Sequence, residues 1–178
     1  MSVVVTSWLG DPSEGFAPFG STRPARCEYI DGAIVLEVAG VEVLSLEMWD
    51  DIDWLWPFVV QALDECKRLG VGERYFPSQP LLFRAEWLGS PGLVRISVAG
   101  GEIRNSVVGS GQEIYRAVGE AALDFYTHLR AHCSSDPADD EIVSIAASWL
   151  GEECTPYPGT SGRPRSSRNQ GPDSASNL

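Results

Sequence analysis

Four carboxylates and three tryptophans crowd into residues 45–56: Glu47, Asp50, Asp51 and Asp53 alternate with Trp49, Trp54 and Trp56, with no positive charge among them. Paired carboxylates can serve as acid and base in glycoside hydrolysis, or as oxygen ligands for a divalent cation, and indoles stack on sugar rings. The same composition also suits a surface that grips a cationic protein. Indole supplies contact area at low entropy cost, and carboxylates supply attraction selective for sign. The third reading is local. Carboxylates just ahead of a helix sit favourably at the positive end of its dipole, and Asp50, Asp51 or Asp53 then acts as the cap.

Other reactive residues form no complete constellation. Asp124, His128 and His132 recur every fourth residue and share one helix face, and two histidines so spaced can hold zinc. A helical zinc hydrolase places its glutamate base directly after the first histidine, where this chain has Leu129. No metal site is therefore expected. Ser110 lies in Val108-Gly109-Ser110-Gly111, which lacks the Gly-x-Ser-x-Gly turn of a nucleophile elbow. Cys66 falls on an apolar helical stripe, where a thiol behaves as a small hydrophobe. Gly100-Gly101 joins two strands, so it offers no helix N-terminus to a phosphate. No catalytic residue and no cofactor emerge.

The elements that must position these residues follow from hydrophobic period. Residues 27–30 and 33–38 flank Asp31-Gly32, a two-residue hairpin signal, and a third short run covers 41–46. Pro57 fits the first turn of a helix, whose stripe is Phe58, Val59, Ala62, Leu63, Cys66 and Leu69, closed by Gly70. Strands over 81–88, 93–98 and 103–108 form a meander. Ser110 and Glu113 make a capping box for a second helix, with Ile114, Val118, Ala122, Phe125 and Leu129 facing inward. A short helix spans 139–150. Residues 73–81, with Tyr75, Phe76, Pro77 and Pro80, read as a stiff loop, either for recognition or for packing. The expected fold is α+β, a mostly antiparallel sheet with two main helices on one face and a short C-terminal helix. Residues 1–26 read as an irregular arm, 27–152 as a single domain, and 153–178 as a disordered tail.

The 178 residues carry a net charge of −12, and residues 155–178 contribute +2, which leaves −14 for residues 1–154. Such a body repels nucleic acid and anionic membranes and attracts basic proteins. The N-terminus has no basic n-region, and no run reaches the ~20 apolar residues that span a bilayer. Cys27, Cys66, Cys133 and Cys154 are widely spaced, so reduced thiols in a cytoplasm are expected.

At the level of class, the acidic body, the Asp- and Trp-rich segment at 47–56 and the order of strands and helices resemble the small acidic immunity proteins of bacterial polymorphic toxin systems. That resemblance implies a stoichiometric role. Glu47, Asp50, Asp51 and Asp53 would pair with basic residues of a toxin, often a nuclease, while Trp49, Trp54 and Trp56 fill its pockets. Two other classes stay open: a carboxylate- or metal-dependent hydrolase, and a structural accessory subunit of a complex. The sequence fixes neither the partner nor the oligomeric state.

Overall fold

A computed structural model describes residues 2–89, 92–134 and 136–151. Among them, strands and helices build the α+β arrangement expected from the pattern, with the strands divided between two antiparallel sheets. The first sheet contains β1 (Val3–Asp11), β2 (Gly15–Pro18), β3 (Asp31–Val38) and β4 (Val41–Leu44), in the order β2-β1-β3-β4, with β5 (Asp50–Asp51) added to the start of β3. The second is a meander of β6 (Val71–Tyr75), β7 (Leu82–Trp87), β8 (Leu93–Gly100) and β9 (Ile103–Ser110). Three helices complete the fold: α1 (Ile52–Leu69), α2 (Gly111–His132) and α3 (Pro137–Gly151).

Period-2 alternation directs Phe83, Ala85 and Trp87 of β7 and Val94, Ile96 and Val98 of β8 into the core. The opposite face of this sheet carries ion pairs between neighbouring strands, Arg84 with Glu73 at 2.9 Å and Arg95 with Glu86 at 3.1 Å. Helix α1 buries Leu55, Trp56, Val59, Leu63 and Cys66, and it ends at Gly70, whose left-handed backbone (φ 88°) lets its N–H reach the Cys66 carbonyl at 2.9 Å. Strand β6 then turns back against α1 at very close range. A Cβ on Gly72 would stand 2.0 Å from the Ala62 carbonyl oxygen, so only glycine fits. Helix α2 opens as the capping box predicts, with the Ser110 hydroxyl accepting from the Glu113 N–H at 3.4 Å. Helix α3 lays Ile142, Ala146 and Trp149 into the same core, and the Trp149 ring meets Tyr115 of α2 edge-on at 5.2 Å.

Several expectations are corrected. Residues 1–26 are not an irregular arm throughout, because β1 pairs with β3 from Val3↔Val38 to Leu9↔Gly32 and β2 folds back on β1. Asp31-Gly32 is no hairpin turn but the start of β3. Gly32 is needed because a Cβ there would stand 2.4 Å from the Trp8 carbonyl oxygen and 3.0 Å from Ile52. The turn falls instead at Ala39-Gly40, both with positive φ, between β3 and β4. Helix α1 starts at Ile52, a turn and a half before Pro57, which therefore sits inside the helix and leaves the Asp53 carbonyl without its helical donor. Cys27 and Cys133, expected as reduced thiols, are joined by a disulfide. Cys66 is buried, its S–H directed at the Gly70 carbonyl. The tail expected over 153–178 lies outside the described residues. None of the described helices is long and apolar enough to cross a membrane.

Candidate functional site

The acidic–aromatic segment runs from a single 3₁₀ turn (Leu46–Met48) through β5 into the first turn of α1. Its side chains divide into two sets. Asp50 is buried, and its Oδ1 accepts from the N–H groups of Asp51 at 2.7 Å and Ser78 at 3.1 Å. Its Oδ2 accepts from Ser78 again at 3.0 Å and from Gln79 at 3.1 Å. A carboxylate so furnished satisfies the amides of a loop that has no secondary structure to do it. The Gln79 side-chain amide donates in return to the Trp49 carbonyl, and the Ser78 hydroxyl donates to Asp51 Oδ2 at 2.9 Å. The two unusual segments of the sequence, 45–56 and 73–81, are therefore halves of one clamp. Phe76 completes it by burying its ring, with its N–H bonded to the Leu81 carbonyl at 2.8 Å.

Asp53 forms a second tie. Its Oδ1 accepts the Ile30 N–H at 2.9 Å, while the Ile52 N–H donates to the Ile30 carbonyl at 2.8 Å. Burial pushes the Asp53 carboxyl above the usual aspartate range, and the neighbouring Asp51 charge adds to this against the backbone hydrogen bonds that hold it down. Trp56 is fully buried, its indole N–H reaching the Ser7 hydroxyl at 3.1 Å and its ring 6.0 Å from Phe125. Asp50 and Trp56 thus face inward, and the half-buried Asp53 is engaged in holding the Ile30 N–H.

What remains outward is Glu47, the half-buried Trp49 and Asp51, and Trp54, of which 51% is exposed. The fold adds a residue that sequence reasoning passed over. Tyr29 is 59% exposed and has a φ of 53°, a left-handed backbone that tyrosine seldom adopts. Tyr29 and Trp54 flank the Ile30–Asp53 hydrogen bond, one residue to either side. Asp31 and Asp51 stand opposite one another where β3 meets β5. Arg26 supports this corner by donating to the Tyr29 carbonyl at 2.8 Å and pairing with Asp31 at 3.0 Å. The signal that could have found Tyr29 is weak, since exposed aromatics carry no period.

The alternative chemistries find little geometry. His128 Nδ1 lies 2.9 Å from the Asp124 carbonyl oxygen and 3.5 Å from its carboxylate. The Nε2 side is covered by the backbone of Gly20, where a Cβ would come within 2.8 Å. His132 is exposed one turn further along. Among the described residues no three His, Cys, Asp or Glu side chains converge on a metal-sized point. An open hollow of about 330 Å³ between β1, β2 and residues 22–31 is lined by Asp11, Glu14, Thr22, Arg23, Arg26 and Asp31, with neither histidine nor cysteine among its lining residues. No known family, curated protein or solved structure matches this chain.

Proposed function

We propose that this chain is a non-catalytic protein-binding module that covers a basic partner, in the manner of an immunity protein masking a toxin. The observation that carries the reading is the pair of exposed aromatics, Tyr29 and Trp54, on either side of a fixed hydrogen bond and bordered by Asp31, Asp51 and Glu47. Large, stiff side chains held by ordered backbone at such positions are what interface centres use. The surrounding carboxylates sit on a chain of net charge −12, so a cationic partner would be drawn in at long range. The contact set is therefore redrawn from the sequence-based one. Tyr29 and Trp54 are its anchors, Glu47, Trp49, Asp31 and Asp51 its rim, and Asp50, Asp53 and Trp56 its supports.

A cytoplasmic location belongs to this proposal. In a reducing compartment an accessible disulfide is transient or sensing rather than a permanent staple, and Cys27–Cys133 has to be understood in that light. The test is capture of a basic protein from the producing cell, followed by kinetics with the purified pair. Tyr29→Ala and Trp54→Ala should each weaken binding by at least about tenfold. Removing Glu47 or Asp51 should act mainly on the on-rate and on its salt dependence. Full affinity in the double aromatic variant, with an on-rate indifferent to salt, would refute the reading.

A further inference from the structure

We propose that the Cys27–Cys133 disulfide is a reversible redox site that holds the Tyr29 half of the contact surface in place; this rests on the partner-binding reading above. The segment concerned lies between two core anchors. Phe19 stacks on Phe125 of α2 at 4.6 Å, and Ile30 is buried beside the start of α1. Between them, every residue from Ser21 to Tyr29 except Pro24 is exposed. What fastens the middle of this stretch to the body is the bond from Cys27 to Cys133, the residue that caps the C-terminus of α2. At its start the stretch is also tied by the Ser21 N–H and hydroxyl to the Pro18 carbonyl, at 3.2 and 2.7 Å, and by a bridge between Phe19 and Thr22. Nearer Tyr29 the ties are those of Arg26 to the Tyr29 carbonyl and to Asp31, at the surface, where the Arg26 side chain is 60% exposed and solvent and salt compete.

Cys27 is exposed and Cys133 half-buried, so the bond is open to attack from the Cys27 side. The reductant is a dithiol. Its thiolate attacks the Cys27 sulfur, forming a mixed disulfide and releasing Cys133 as a thiolate that takes up a proton. The second thiol of the reductant then attacks the mixed disulfide and releases Cys27. The reductant leaves as a disulfide, and the protein has gained two electrons and two protons as two thiols. With the bond open, nothing covalent holds residues 20–29 against α2, and the left-handed backbone at Tyr29 keeps only its hydrogen bonds to Arg26 and to the Asp53 carboxylate. The oxidised form presents both aromatics; the reduced form presents Trp54 alone.

The test uses the full chain in its oxidised form, in the same protein after native reduction with excess dithiothreitol, and in the Cys27→Ser variant. Trypsin reports directly, because Pro24 blocks cleavage after Arg23 and leaves the Arg26–Cys27 bond as the cut within this segment. Reduction and Cys27→Ser should each speed that cut by about tenfold or more, since local opening replaces a covalent tie. Amide exchange over 21–29 should rise with it, while β7, β8 and β9 keep their protection. Three outcomes overturn the proposal: Cys27 and Cys133 alkylated as thiols without reductant, a bond that excess dithiol leaves intact in the native protein, or a reduced protein cut and exchanged like the oxidised one. None of these readouts needs a partner. Their failure leaves the contact surface standing, and silent alanine variants at Tyr29 and Trp54 would leave a working redox bond without its proposed purpose.

Discussion

Replacing Asp50 with alanine should strip the 76–81 loop of its buried acceptor and lower the urea midpoint of the whole domain. The carboxylate accepts from three backbone N–H groups, those of Asp51, Ser78 and Gln79, while only 3% of the residue is exposed. Alanine leaves all three donors facing a space without an acceptor. Hydrogen bonds to a charged group contribute about 1.5–3 kcal/mol each, and an orphaned buried donor costs about 1–3 kcal/mol. Three such losses overlap, and removing the carboxylate also relieves its own desolvation, so the net expectation is about 3–5 kcal/mol. With a urea slope of about 2 kcal/mol per molar, the unfolding midpoint should drop by roughly 2 M. Asp50→Asn keeps one carbonyl acceptor but turns an NH₂ group toward the remaining donors, and should fall between alanine and wild type. Asp51→Ala is the control. Its carboxylate holds the Ser78 hydroxyl in an exposed setting, and its loss should cost under about 1 kcal/mol. If Asp50→Ala unfolds with the midpoint of Asp51→Ala, the buried carboxylate does not organise the loop, and the separation of the segment into inward and outward residues fails with it.

The two helical tryptophans should separate stability from binding. Trp56→Ala removes a fully buried ring and should cost about 3–5 kcal/mol by urea titration, whereas Trp54→Ala should cost under about 1 kcal/mol while weakening partner binding. Asp53 should titrate with the sign opposite to that of a salt-bridged aspartate. Burial raises its folded pKa above the unfolded value, so the stability it contributes is present below about pH 4 and is lost as pH rises through the raised value. Asp53→Asn keeps an acceptor for the Ile30 N–H, and its stability relative to wild type should improve between pH 4 and pH 7; a difference that stays flat or falls across that range would contradict the assignment. Gly72→Ala should destabilise by about 2 kcal/mol or more, because its methyl must displace the α1 backbone at Ala62, and amide exchange in β6 should rise with it.

The parts of this fold legible in the sequence are those whose signal is local and repeated. The stripe Val59, Leu63, Cys66 marks α1, the Ser110–Glu113 box marks the start of α2, and alternation marks β7, β8 and β9. Misread elements have in common a residue whose type answers to a distant neighbour. Gly32 looks like a turn, yet it is glycine because β1 and Ile52 press on it. Strand β6 carries Gly72, Glu73 and Arg74 in five residues because one face touches α1 and Arg74 reaches Glu65 there, which blurs any period. The candidate site was legible as a composition and not as a geometry. Nothing near Asp50 announces that its partners lie 28 and 29 residues onward, and nothing near Cys27 points to a partner 106 residues away. Helix propensity likewise places a boundary at Pro57, while burial of Ile52, Leu55 and Trp56 carries the helix back through it.

The placement of the disulfide also decides how the chain transmits a mechanical load. Tension applied at the two ends enters through β1 and β2 on one side and α3 on the other, and its covalent path crosses the Cys27–Cys133 bond. The residues between the cysteines feel it only through noncovalent contacts such as the pairing of β1 with β3 and the packing of α3. The second sheet, β3, β4, α1 and the whole of α2 lie inside that span. A pull on the oxidised molecule can strip β1 from β3 and peel α3 from α2, but the covalent path bypasses the meander. Once the bond is open, the chain from Cys27 to Cys133, a sequence separation of 106, joins the load path and adds roughly 350 Å of extensible contour at about 3.3 Å per residue.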